Sequence, residues 1–167
     1  MAIFSQGEID ALISCPKGIS EAPKKEMKLF GAHWRNDAKL AASDSLPGEF
    51  AMFMRKNEDF PENFSIGLIY NPHDGRGEIV LLRCNGKHGE FNRSFDPAHP
   101  HSDFHIHRAT EIAIDAGQSS EKDAVKTTEF ASFEEALQFF VKAVNLNARD
   151  AQKHFPASTQ IPLTFEQ

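Results

Sequence analysis

The chain has 167 residues, a formal net charge of −6, an isoelectric point near 5.7, 40% hydrophobic residues and 25% charged residues. That is one ordinary globular domain, and its acidity argues against sequence-independent coating of DNA, which needs a broad basic surface. No apolar run reaches the roughly 20 residues of a membrane span, the opening MAIFSQGEIDALIS lacks the basic segment of a signal peptide, and Cys15 and Cys84 are too few for a disulfide framework; a cytoplasmic protein with free thiols and no membrane partner is expected.

In chain order, Ser5 and Glu8 have capping-box spacing, and Ile9, Leu12 and Ile13 recur at helical spacing. This predicts a short helix within residues 1–18, ended by Pro16 and Gly18. Residues 17–28 read as a polar, solvated connection, with a phosphate-contacting arm as the alternative. Strands are then predicted in KLFGAHW and AKLAAS, on either side of Asn36-Asp37, and at 48–56, 64–70 and 77–84. The last is apolar on both faces and reads as a central strand. Tight turns such as Asn71-Pro72 and Asp74-Gly75 join these pieces into an antiparallel meander over 28–130.

Residues 103–115 carry an alternation. Phe104, Ile106, Ile112 and Ile114 share one parity, whereas Asp103, His105, His107, Glu111 and Asp115 share the other. Read as one extended piece with a bend near 108–110, the segment has a buried apolar face and an acid–histidine face. Gly117–Lys122 reads as a loop and VKTTEF as an edge strand. Ser132 and Glu135 then cap a helix over 132–145 that should bury Phe133, Leu137, Phe140 and Val144. Residues 146–167 read as a polar tail. The expected fold is a single α+β domain, a twisted antiparallel sheet of about five or six strands with a C-terminal helix and a short N-terminal one.

Five of the eight histidines (His88, His99, His101, His105 and His107) fall within one short stretch. Residues i and i+2 of a strand sit about 6.8 Å apart on the same side, so such histidines can converge on one phosphate or one metal ion. One reading is acid–base cleavage of a phosphodiester: two imidazoles exchange protons near neutral pH and an arginine stabilises the charge on phosphorus. RNA brings its own 2′-OH nucleophile, so no cofactor is needed. His105, His107, His88 and Arg83 are then the catalytic candidates, with Asn85, Lys87 and Arg108 contacting substrate. The second reading is a divalent metal such as zinc held by His101, Asp103, His105 and His107. The third is a solvated histidine face without chemistry. No P-loop or GxGxxG motif is present.

The stretches FSIGLIY, LLRCNGKHG, HPHSDFHIH and SFEEALQFF together resemble a family of small uncharacterised bacterial proteins. Residues 77–142 are also similar to TumE-like toxins of bacterial toxin–antitoxin pairs, with Arg83, Asn85, His88, His105 and His107 at the matching places; the first 60 residues have no counterpart there. The resemblance implies a toxin-like or mobile-element protein that cleaves or binds RNA, with RNA and a cognate antitoxin or other protein as partners. The rival expectation is a non-catalytic accessory or inhibitor module acting through a protein interface, which suits the acidic charge.

Overall fold

The first helix, α1 (Gln6–Ser14), begins where Ser5 Oγ accepts the backbone N–H of Glu8 at 3.1 Å. The computed structural model that shows this describes residues 3–43, 46–88 and 102–157. The remaining elements are β1 (Lys17–Glu21), β2 (Lys28–Phe30), β3 (His33–Ala42), β4 (Glu49–Asn57), β5 (Phe64–Asn71), β6 (Ile79–Asn85), β7 (His105–Arg108), α2 (Glu111–Asp115), β8 (Ala124–Lys126), α3 (Phe133–Ala143) and α4 (Ala148–His154). The protein is α+β, and among the described residues one antiparallel sheet of eight strands runs in the order β1-β3-β4-β5-β6-β7-β8, with β2 also pairing β3.

Alternation along the strands gives the sheet two unlike faces. Leu40, Phe50, Met52, Met54, Ile66, Leu68, Tyr70, Leu82 and Cys84 are buried on one face. Against it pack Ile9, Leu12 and Ile13 of α1 and Phe133, Ala136, Phe140 and Val141 of α3. α3 starts as expected, with Ser132 Oγ accepting from Glu135 N at 3.1 Å. Phe133, Phe140 and Val144 are buried, while Leu137 is half-buried at the edge of the core. Cys15 and Cys84 are both free thiols. No helix among the described residues is long and apolar enough to cross a membrane.

Of residues 17–28, only 22–27 form the expected exposed connection; 17–21 are a strand. β1 pairs with β3, and Lys17 is buried. Its ammonium donates to the carbonyls of Ile13 (2.8 Å), Cys15 (2.9 Å) and Val144 (2.9 Å) and lies 5.0 Å from the Phe50 ring centroid. One cation thus satisfies carbonyls at the C-terminal ends of both α1 and α3, where the helix dipoles favour positive charge. Burial nonetheless pushes its pKa below the usual lysine value. Asn36-Asp37 does not break the chain either: β3 runs straight through it. The turn lies at Gly31, whose φ of 61° is the left-handed geometry that glycine adopts freely.

The extended piece expected over 103–115 ends at Arg108. Thr110 Oγ1 then accepts from Ala113 N at 3.3 Å and starts α2. Residues two apart on a helix point about 200° apart. Ile114 therefore packs on the core, while Ile112 is 83% exposed, against expectation. Gln6 and Glu111 lock α2 to α1 by exchanging backbone-to-side-chain bonds of 2.8 and 3.1 Å. The polar tail also contains α4, started by Asn147; residues 158–167 lie outside the described residues.

Two substitutions separate the buried helix face from the misread isoleucine. Phe140→Ala should cost about 3–5 kcal/mol and Ile112→Ala less than about 0.5 kcal/mol, both measured by urea unfolding. Comparable losses would contradict the packing described.

Candidate functional site

The sheet face opposite the helices is polar, and cross-strand register organises it. Arg83 pairs with His107 and Asn85 with His105, and β5 adds Gly67 opposite Arg83 and Ser65 opposite Asn85. Directly opposed residues of an antiparallel pair project to the same side. Ile106, opposite Cys84, projects to the helix-covered side. The parity read for residues 104–107 is therefore correct, although Phe104 and Ile106 are only partly buried on the core side. The solvated histidine face is not: His105 is 0% exposed and His107 3%.

Both buried rings are oriented by main-chain carbonyls. His105 Nδ1 lies 2.8 Å from Asp103 O, and His107 Nδ1 lies 2.8 Å from Glu121 O. A carbonyl only accepts, so each Nδ1 carries a hydrogen, and each neutral ring keeps its lone pair on Nε2. Glu121 arrives on the loop after α2, fastened by Ser120 Oγ donating to Val80 O at 2.8 Å. Its carboxylate accepts from the hydroxyls of Ser119 (3.2 Å) and Ser120 (3.1 Å) and lies 3.6 Å from Arg83 Nη2. Burial, then the nearby Arg83 charge, hold the His107 pKa below its usual value, so the ring is neutral at neutral pH.

His88, at the end of β6, completes the group. Its Nε2 stands 3.2 Å from His105 Nε2, and the two ring centroids are 4.9 Å apart. Asn85 Nδ2 is 3.4 Å from the same His88 nitrogen, and Asn85 Oδ1 accepts from Ser65 Oγ at 2.8 Å. With both rings neutral, His105 Nε2 keeps the lone pair left by its Nδ1–H bond, so the hydrogen between the two rings belongs to His88 Nε2, which donates to His105.

Of the residues singled out in the sequence, His88, His105, His107, Arg83 and Asn85 are thus brought together. Arg83 makes no hydrogen bond among the described residues, and its Nε is buried, so most donors of the guanidinium remain for a ligand. Lys87 is directed elsewhere: its Nζ is 3.9 Å from Glu62 and 5.2 Å from the Phe104 ring centroid. Arg108 projects to the helix-covered side and meets Asp10 of α1 at 3.4 Å. The Asp103 carboxylate pairs with Lys126 at 3.3 Å, and only its carbonyl meets His105. His101 lies outside the described residues, and among those described no group of three or more His, Cys, Asp or Glu side chains is placed to hold a metal ion. The metal set of His101, Asp103, His105 and His107 is therefore not assembled by the described residues. Ser65 and Glu121 are members that no sequence motif announced. Cys84 lies on the core side, where burial pushes its thiol up to about 12 and makes it a poor nucleophile.

Comparison of the chain with protein-family models, with curated proteins and with solved structures gives no match.

The depressed His107 pKa has a thermodynamic sign. Below about pH 6.5 the unfolded chain binds a proton on this residue that the folded chain resists, so stability falls with acidification, by at most about 1.4 kcal/mol per pH unit. In His107→Asn the amide can keep the bond to Glu121 O without titrating, and this part of the slope should vanish in denaturation curves between pH 6.5 and 5. Identical slopes in the two proteins would contradict the assignment.

Proposed function

We propose that the protein is a toxin-like ribonuclease that cleaves RNA at the His88–His105–His107 cluster without a metal ion. The observation that carries this reading is the 3.2 Å approach of the two Nε2 atoms of His88 and His105. It makes one proton available beside a second, neutral imidazole and an arginine with uncommitted donors. His107 Nε2 is buried in the free protein, so the reaction requires the substrate to uncover it; it then takes the 2′-OH proton and O2′ attacks phosphorus. The P–O5′ bond breaks, and O5′ takes the proton held by the His88–His105 pair. The products are a 2′,3′-cyclic phosphate and a free 5′-OH, and Arg83 stabilises the charge on the phosphoryl oxygens. His88, the half-exposed member, meets the substrate, and His105 behind it holds the proton. The similarity of Arg83, Asn85, His88, His105 and His107 to the TumE-like pattern supports the same reading, as does the reduced need for a cofactor when RNA supplies its nucleophile.

A second reading has one observation in its favour. Two ligands of a tetrahedral zinc ion with bonds of about 2.0–2.1 Å stand roughly 3.3–3.4 Å apart. The His88–His105 pair has nearly this separation, and an Nδ1–H bonded to a carbonyl is the usual support for a ligating imidazole.

The test is cleavage of a labelled single-stranded RNA by purified protein in chelator. Wild type should release cyclic-phosphate ends. His88→Ala, His105→Ala and His107→Ala should each lower the rate by about 10²–10⁴-fold. Activity abolished by chelator and restored by zinc would replace this mechanism with the metal one. No cleavage by wild type, with the same growth effect for wild type and variants in bacteria, would leave the non-catalytic binding module.

A further inference from the structure

Beyond the cluster, the rest of the sheet face opposite the core carries no helix among the described residues and has an ordered composition. Following the register from strand to strand gives one continuous row: Lys28, Arg35, Arg55, Ser65, Asn85, His105 and Lys126. Four of the seven are cations and none is a carboxylate, although Arg55 and Lys126 each have an acidic partner outside the row, Asp37 and Asp103. At roughly 4.8 Å per strand, the row spans about 29 Å. Alongside it runs a second row in which Asp37, Phe53, Gly67, Arg83 and His107 are opposed. Phe53 belongs to no part of the core cluster. Its ring lies over Gly67, where a Cβ would collide with it, so the missing side chain lets the aromatic ring lie down on the sheet.

At the far end from the histidines, the row enters a cavity of about 380 Å³ lined by Lys24, Lys28, Phe30, Arg35 and Arg55 and by the carboxylates Glu21 and Asp37, of which Glu21 pairs with Lys39 at 3.5 Å. Asp37 is spent on Arg55 at 2.9 Å. Lys28 and Arg35 make no ion pair among the described residues, and Arg35 lies over the exposed Phe30 ring at 5.8 Å. Cations in register beside flat aromatic rings are what a single-stranded nucleic acid requires: positive charge to follow its phosphates and surfaces on which its bases stack.

We propose that this face is a track for single-stranded RNA, with the cavity around Lys28, Phe30 and Arg35 holding one nucleotide of the strand whose other part lies at the histidine cluster. The proposal deepens the ribonuclease reading and rests on it for the choice of RNA. It also gives an acidic chain a local cationic edge, Lys28 and Arg35, that a polyanion can meet.

The experiment is fluorescence anisotropy with a 2′-O-methyl oligouridylate, which binds but lacks the nucleophile for cleavage. Lys28→Glu/Arg35→Glu should weaken binding at least tenfold. Losing two phosphate contacts should also flatten the log Kd against log salt slope by roughly 1.4. The charge-matched control Lys142→Glu/Lys153→Glu, on α3 and α4, should bind within twofold of wild type. Arg35→Gln, which removes one cation without adding a carboxylate, should give an intermediate loss and guards against misfolding of the double variant. Wild type that does not bind, a Lys28/Arg35 variant that binds like wild type, or equal losses in both double variants would overturn the track. Binding that follows the prediction in the absence of any RNA cleavage by wild type would keep the track and remove the ribonuclease. Cleavage unaffected by Lys28→Glu/Arg35→Glu would do the reverse.

Discussion

The pairing of β6 with β7 is the constraint on which the site depends. Arg83 opposite His107 and Asn85 opposite His105 put four polar side chains on one side of the sheet, while Cys84 opposite Ile106 closes the core on the other. Side chains alternate with a period of two, so a slip of one residue would drive both histidines into the helix-packed core and turn Ile106 outward. The core therefore enforces the register, and the register assembles the site. The same rule, carried across β5, β4 and β3, extends the site into the basic row that ends at Arg35 and Lys28.

A polar group buried as fully as His105 is tolerated only when its hydrogen bonds are made. The carbonyls of Asp103 and Glu121 meet this need at the Nδ1 atoms and thereby fix both tautomers. Orientation of the rings and chemistry at Nε2 are consequently one feature: the bonds that stabilise the buried imidazoles are those that leave the opposite nitrogens as proton acceptors. Glu121 adds a second function by placing a carboxylate 3.6 Å from Arg83, close enough to hold the guanidinium near the cluster without consuming its donors.

Much of this was legible in the sequence where the signal is local. Ser5 and Ser132 announced the two principal helices, because a cap and an apolar stripe lie within one short window. The meander followed from turn residues between apolar runs, and the 104–107 parity placed the histidines on one side. What could not be read depends on distant chain. The burial of His107 comes from a carbonyl 14 residues away, on a loop whose sequence is unremarkably polar. Lys17 reads as a surface lysine until the end of α3, 127 residues further on, supplies a third carbonyl. Ile112 and Ile114 mimic a strand because two isoleucines flanking an alanine fit a period of two as well as a single capped turn of helix. Arg108 is one residue beyond His107, and that single step carries it to the other face.

The central claim is that His105 and His107 form a buried pair fixed through their Nδ1 atoms on the sheet face opposite the helices. Long-range ¹⁵N–¹H correlation of the imidazole rings near pH 7.5 tests it most directly. The account predicts both rings as Nδ1–H tautomers with slowly exchanging hydrogens, and a His105 signal that shifts on His88→Ala. Both rings as rapidly exchanging Nε2–H tautomers, the form ordinary for solvated histidine, would contradict it.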